Sequence, residues 1–275
     1  MERYFSLSNG PLRIPCRMYE PDFGAPRRCI LGVHGFGMGK DTEILTALSE
    51  EMSIFGAAMV CFDFPAHGEN PLQSDALTLD NCVETLLYTA QWAHNRYPDI
   101  DFCVFASGFG AYVTLVALER LEELVGRAKL VLQTPNIRMS ETLLSMTRMT
   151  AEELKEAGFK TLNAERKFDV TYEFYKQVRE HNALTTYDTP MLLLHGELDD
   201  YVRIDDMLNF RRINEYCKLV IIPGADHQFH APGAWDMVVD LTRDWFEFEQ
   251  VLLCDWRLKM TRMCIAREPL QKISM

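Results

Sequence analysis

The chain contains no apolar run approaching the roughly 20 residues of a membrane-spanning helix, so no integral membrane segment is expected. It has no excess of positive charge: 28 lysines and arginines stand against 40 aspartates and glutamates, a formal net charge of −12. Nucleic acids and anionic membrane surfaces reward basic patches, so neither is expected as a partner. The eight cysteines, at positions 16, 29, 61, 82, 103, 217, 254 and 264, include no CxxC pair. Without that spacing they read as small core hydrophobes in a reducing, cytoplasmic setting, not as disulfides or a metal site. The start, Met1-Glu2-Arg3-Tyr4-Phe5-Ser6, lacks the basic stretch and apolar core of a secretory leader. Internal repeats and low-complexity tracts are missing too.

What is present fits one large α/β domain over residues 1–275, with hydrophobic residues at 48% and charged residues at 25%. Asn9-Gly10 is a short-hairpin signal. From Arg28 onward, apolar strands alternate with amphipathic helices. Strands are expected at 29–33, 58–62, 102–106, 130–132, 191–194 and 219–222, and helices at 41–55, at 79–92, from near 109, and at 234–248. Such alternation implies a mostly parallel central sheet with helices on both faces. The rhythm breaks at 135–188, which reads as a helical lid insertion without a strand. Thr150 and Glu153 form a capping box there, Gly158 is a stop, and a second helix is expected at 168–178. Met139, Met146 and Met149 would face a substrate pocket under that lid. Residues 251–275 read as a C-terminal extension.

Residues 106–111 read Ala-Ser-Gly-Phe-Gly-Ala between an expected strand and an expected helix. Small-x-nucleophile-x-Gly at such a junction is the nucleophile elbow of serine hydrolases. On that template Ala106 and Gly110 are the small flanks, and the nucleophile slot holds Gly108. Glycine has no side chain with which to attack a carbonyl. The alternative register makes Ser107 the nucleophile and puts Phe105 and Phe109 at the small positions, a poor fit to a tight turn.

Four further motifs follow expected strands. His34-Gly35-Phe36-Gly37 can turn backbone N–H groups toward a developing oxyanion. Asp63-Phe64-Pro65-Ala66-His67-Gly68 reads as a structural turn. His195-Gly196-Glu197-Leu198-Asp199-Asp200 offers an acid to orient a histidine, Asp199 first and Asp200 second. Gly224-Ala225-Asp226-His227-Gln228-Phe229-His230 offers His227 as general base; the His227-x-x-His230 spacing alone makes a poor metal site. The order nucleophile slot, acid, histidine is that of α/β-hydrolases.

Over roughly residues 3–250 the chain resembles the α/β-hydrolase superfamily. Within it, His-Gly-Phe, Asp-Phe-x-x-His-Gly, His-Gly-x-x-Asp and Gly-Ala-Asp-His-x-Phe are most similar to bacterial cinnamoyl or feruloyl esterases and their serine-aminopeptidase-like relatives. The resemblance implies carboxylic-ester hydrolysis through an acyl-enzyme, with no cofactor and a small-molecule ester or acyl ligand as partner. It makes the Phe36 and Phe109 amides the oxyanion hole, Asp199 the orienting acid and His227 the base. The departure is Gly108, where the family has serine. An elbow centred on glycine also resembles the non-catalytic N-myc-downstream-regulated branch. The expectation is an esterase-type protein with impaired catalysis. An active hydrolase using Ser107 or a His227-activated water, or a non-catalytic interaction protein, stands as the alternative.

Overall fold

Asn9-Gly10 forms the turn it signals. Strands β1 (Glu2–Asn9) and β2 (Leu12–Tyr19) pair antiparallel with Asn9 opposite Leu12, and Gly10 takes a φ of +55°. The computed structural model describes residues 1–247, so the expected extension at 251–275 lies outside the described residues. The chain continues through β3 (Arg28–Val33), α1 (Glu43–Ile54), β4 (Ala57–Phe62), α2 (Leu79–Arg96), β5 (Asp101–Ser107), α3 (Gly108–Val125) and β6 (Lys129–Gln133). Then come α4 (Met139–Thr147), α5 (Ala151–Ala157), β7 (Phe159–Asn163), β8 (Lys167–Thr171) and α6 (Tyr172–Glu180). Strand β9 (Met191–Gly196), α7 (Ile204–Ile213), β10 (Cys217–Ile222) and α8 (Ala234–Glu247) close the described chain.

Eight strands form one sheet in the order β1-β2-β4-β3-β5-β6-β9-β10. From β4 to β10 all pairings are parallel; β1 and β2 are antiparallel. The central strands read as unbroken apolar runs because helices cover both faces. Their side chains still alternate between two cores. Cys29, Leu31 and Val33 of β3, with Phe102, Val104 and Ala106 of β5, pack in the core that also holds residues of α2 and α3. Ile30, Cys103 and Phe105 pack in the opposite core with residues of α1 and α8.

The sheet order sets the site. From β3 the chain moves outward to β4, and from β5 it moves the other way to β6. The loops after adjacent strands β3 and β5 therefore diverge and leave a crevice at the carboxyl ends of the strands, where ligands of open α/β sheets bind.

The insertion between β6 and β9 holds the helical pieces expected, and the Thr150–Glu153 capping box and the Gly158 stop are both formed. It also holds an unexpected antiparallel hairpin, β7–β8. The helix expected from Phe168 starts only at Tyr172, where Thr171 caps it by accepting the Phe174 N–H. In β8 only Phe168 and Val170 are buried, and β7 has no buried residue. Two alternating inward residues, followed directly by Phe174, Tyr175 and Val178, merge into a helix-like pattern. Helix α7 was also not anticipated; it buries only Asp206, Met207 and Phe210. Among the described residues no helix is long and apolar enough to cross a membrane.

Candidate functional site

Strand β5 ends at Ser107, and Gly108 opens α3 with a φ of +47°, a conformation that side-chain-bearing residues adopt only under strain. Two residues on, a Cβ at Gly110 would collide with the His34 carbonyl oxygen and the Val33 side chain. Helix α3 thus meets the end of β3 at a position that admits only glycine, as the Gly108 register requires. The large, fully buried Phe105 and Phe109 stand where the Ser107 register wants small residues. A Cβ built on Gly108 meets only Asn136 Nδ2 at 3.6 Å and Gly35 Cα at 4.0 Å, so the slot has room for a side chain. The Ser107 hydroxyl reaches toward Gln133 Oε1 of the neighbouring strand, at 3.4 Å.

The loops after β9 and β10 bring Asp199 and His227 together. His227 Nδ1 donates to Asp199 Oδ2 at 2.8 Å, which leaves Nε2 unengaged by the acid. The Asp199 carboxylate is fully buried, and its Oδ1 accepts the Tyr201 and Val202 N–H groups at 2.9 Å each. Burial alone would raise its pKa. The hydrogen bond and charge of His227, with the two amides, outweigh burial and hold the carboxyl below its usual range. The Tyr201 ring lies 5.1 Å from the His227 ring. The second-choice acid, Asp200, is exposed and lines a smaller recess of about 380 Å³. His230 pairs with Asp226 at 2.7 Å on the surface.

The loop after β3 is fixed from beneath. Buried His34 donates from Nδ1 to the Gly35 carbonyl at 2.7 Å and accepts the Phe64 N–H at Nε2, 3.1 Å away. The Phe36 ring packs 5.1 Å from Phe109, 5.1 Å from Phe168 and 6.0 Å from Phe174. Further along, Asp63 accepts the Lys40 N–H at 2.6 Å and the Glu69 N–H at 2.9 Å. The Lys40 ammonium, 1% exposed, lies 3.3 Å from Asp63, 2.7 Å from Asp41 and 2.6 Å from Glu69.

These parts meet on one cavity of about 670 Å³. Its lining includes Gly35, Phe36, Ser107, Gly108, Phe109 and His227. The insertion contributes Met146, Asn163, Ala164 and Glu165. The three methionines expected to share this wall separate: Met146 lines it, Met139 is buried in the core, and the half-buried Met149 is not part of the lining. Among the lining residues that the sequence reading did not assign to the site are Gln133 at the end of β6, Asn136 just beyond it, and Tyr201 beside Asp199. For Asn136 a signal existed, since Thr134-Pro135-Asn136 directly follows the central strand β6. Among the described residues no three His, Cys, Asp or Glu side chains group as a metal site.

His34 and His67 have a measurable consequence. Burial lowers the His34 pKa to about 4; burial, and then the neighbouring His34, lowers that of His67 to about 3. Both are neutral in the fold at neutral pH, whereas in the unfolded chain they titrate near ~6.5. The unfolded state therefore binds more protons below ~6.5. The stability these rings contribute is complete above that pH and is lost as pH falls toward 4 and 3. Urea midpoints are expected to decline already between about pH 6.5 and 5, before the carboxylates titrate. A His67→Phe variant should show a shallower decline. An identical decline in the variant would remove His67 from the account.

No family model matches the chain, and no curated protein matches it. Solved structures do. Est1E from Butyrivibrio proteoclasticus with ferulic acid bound superposes with a TM-score of 0.73 at 17% identity, covering 88% of this chain and 99% of that one. The chain has the α/β-hydrolase fold. Mouse alpha/beta hydrolase domain-containing protein 10 is similar over 90% of this chain and 100% of its own, with a TM-score of 0.73 at 16% identity. An alpha-beta serine hydrolase homologue from Coxiella burnetii matches over 87% and 94%, with a TM-score of 0.60 at 18% identity. At these identities the likeness carries the fold, and the chemistry of an α/β-hydrolase-fold chain has to be argued from its own site.

Proposed function

We propose that this chain is an α/β hydrolase of the carboxylic-ester type, a pseudoenzyme in the cytoplasm, whose acyl pocket binds its ligand with turnover impaired by the missing nucleophile. The observation that carries this reading is Gly108 at a φ of +47° on the same cavity as a hydrogen-bonded Asp199–His227 pair. The pair supports a base role for His227: Asp199 fixes the tautomer with the proton on Nδ1 and leaves Nε2 to accept one. The Phe36 and Phe109 amides, at the loop after β3 and the first turn of α3, are the proposed oxyanion hole. The small-molecule ligand is an ester or acyl compound, with Phe36, Met146 and Trp235 as apolar contacts. No resident cofactor enters this scheme.

In a triad hydrolase, loss of the serine costs on the order of 10⁶ in turnover and leaves about 10³–10⁴ over water. The protein is accordingly expected to resist labelling by a fluorophosphonate probe and to hydrolyse p-nitrophenyl esters only weakly. Ser107 as nucleophile is disfavoured, because its hydroxyl is directed to Gln133 and no hydrogen bond joins it to His227 among the described residues. Stoichiometric labelling mapped to Ser107 would overturn the reading. Rapid ester turnover without labelling would instead make His227 the activator of a water.

A further inference from the structure

We propose that the glycine elbow makes this cavity a receptor for a free monocarboxylate, with the carboxylate group seated in the space a serine side chain would occupy. The inference rests on the acyl-pocket reading above and names the ligand class of that pocket. The slot over Gly108 is open, bounded by Asn136 Nδ2 at 3.6 Å and Gly35 Cα at 4.0 Å from a Cβ position there. Beneath it begins α3, 18 residues long, whose first free N–H groups and aligned peptide dipoles favour an anion.

Asn136 is the second, independent observation. It is 5% exposed, its backbone N–H is fixed by donating to the Gly108 carbonyl at 3.1 Å, and it lines the cavity. Among the described residues its side chain makes no hydrogen bond: Oδ1 is buried without a partner, and Nδ2 faces the slot. Nδ2–H is a donor turned into the cavity, which an acceptor in the slot can engage; Oδ1 is itself an acceptor and is not paired by a carboxylate. The carbonyl oxygen of an ester would use the Phe36 and Phe109 amides alone and leave the slot empty. A carboxylate has a second oxygen, which in the slot accepts from Asn136 Nδ2–H.

The rest of the lining limits the charge. Asp41, Glu43 and Glu165 also face this cavity. Asp41 is paired with Lys40, which it shares with Asp63 and Glu69, and with Arg17 at 3.3 Å; Glu43 and Glu165 disfavour a second negative charge on the ligand. The tail is therefore uncharged, and Phe36, Met38, Ile44 and Trp235 offer it apolar contact.

Calorimetric titration of the full chain with trans-cinnamate, methyl cinnamate and 4-carboxycinnamate tests this. Cinnamate is expected to bind at least about tenfold more tightly than its methyl ester, the scale of one charge-assisted hydrogen bond. The dicarboxylate is expected to bind more weakly than cinnamate. Asn136→Asp sets a carboxylate against a carboxylate. It should cost cinnamate tenfold or more and leave methyl cinnamate within about twofold, while Asn136→Ala should weaken cinnamate alone. Equal binding of acid and ester overturns the carboxylate receptor and leaves the acyl pocket standing; no binding of either overturns both. Equal losses of both ligands in the Asn136 variants would reduce Asn136 to a structural role and overturn its part. If Asn136→Asp does not melt cooperatively, the acid–ester comparison on the native chain and the Asn136→Ala titration decide.

Discussion

Gly108→Ser is expected to raise ester hydrolysis by about three orders of magnitude or more over the native chain. The expectation follows from what already stands around the slot. A serine Cβ there meets nothing closer than 3.6 Å, and the Asp199–His227 hydrogen bond is formed at 2.8 Å. With Asp199 and His227 in the roles proposed for them, adding the serine restores the part of the rate that only a triad supplies, about 10⁶ at most. The measurement is kcat/KM on a panel of p-nitrophenyl and cinnamoyl esters, with fluorophosphonate labelling mapped to residue 108. In that background His227→Ala should abolish the gain. His230→Ala should change it little, because His230 is engaged by Asp226 at the surface. The gain carries a stability cost. A non-glycine residue at a φ of +47° is strained by about 1–3 kcal/mol, so the serine variant should melt several degrees below the parent. A folded variant no faster than the parent, or equal losses at the two histidines, would count against the assignment of the site.

Lys40→Met is expected to cost about 3–5 kcal/mol of stability, the scale of breaking a buried ion pair from one side. Lys40 is 1% exposed and Asp63 fully buried, and nothing in water can replace the lost ammonium without opening the loop. Burial raises the pKa of Asp63, while the Lys40 and Glu69 amides and the Lys40 charge pull it down, so removing the ammonium takes away part of what keeps the carboxyl ionised. Adding Asp63→Asn to Lys40→Met should recover part of the loss, because the orphaned charge goes with its partner. Equilibrium denaturation of the single and double variants measures both. A single-variant cost below about 1 kcal/mol would place this cluster with ordinary surface ion pairs.

The site was legible in the sequence wherever the chemistry demands a residue type at a strand end. Gly108, Asp199 and His227 each follow a strand whose apolar run marks it; Gly108 and His227 line one cavity, and Asp199 is buried behind His227 and hydrogen-bonded to it. Legibility failed where position depends on side-chain direction. Met139, Met146 and Met149 looked equivalent in sequence, yet the turn of α4 sends Met139 into the core and only Met146 to the cavity. Asn136 carries no periodic signal, because its placement comes from one backbone bond to Gly108. The β7–β8 hairpin stayed hidden because its five-residue strands alternate too briefly, next to a helix that shares the same apolar face. The parallel sheet was legible for the opposite reason: its central strands β3, β4, β5 and β9 are buried on both faces and read as apolar runs.

The ring of Phe36 touches Phe109 at the elbow, Phe168 in β8 and Phe174 in α6. Floor and roof of the cavity thus share one side chain. Each such aromatic pair contributes about 0.5–1.5 kcal/mol beyond the area it buries, and all three are lost together if the ring leaves. The segment between β6 and β9 is in this sense a keystone of the arch. Lifting it away would pull on the backbone that carries the Phe36 amide, so the insertion and the loop after β3 are expected to lose hydrogen-exchange protection together.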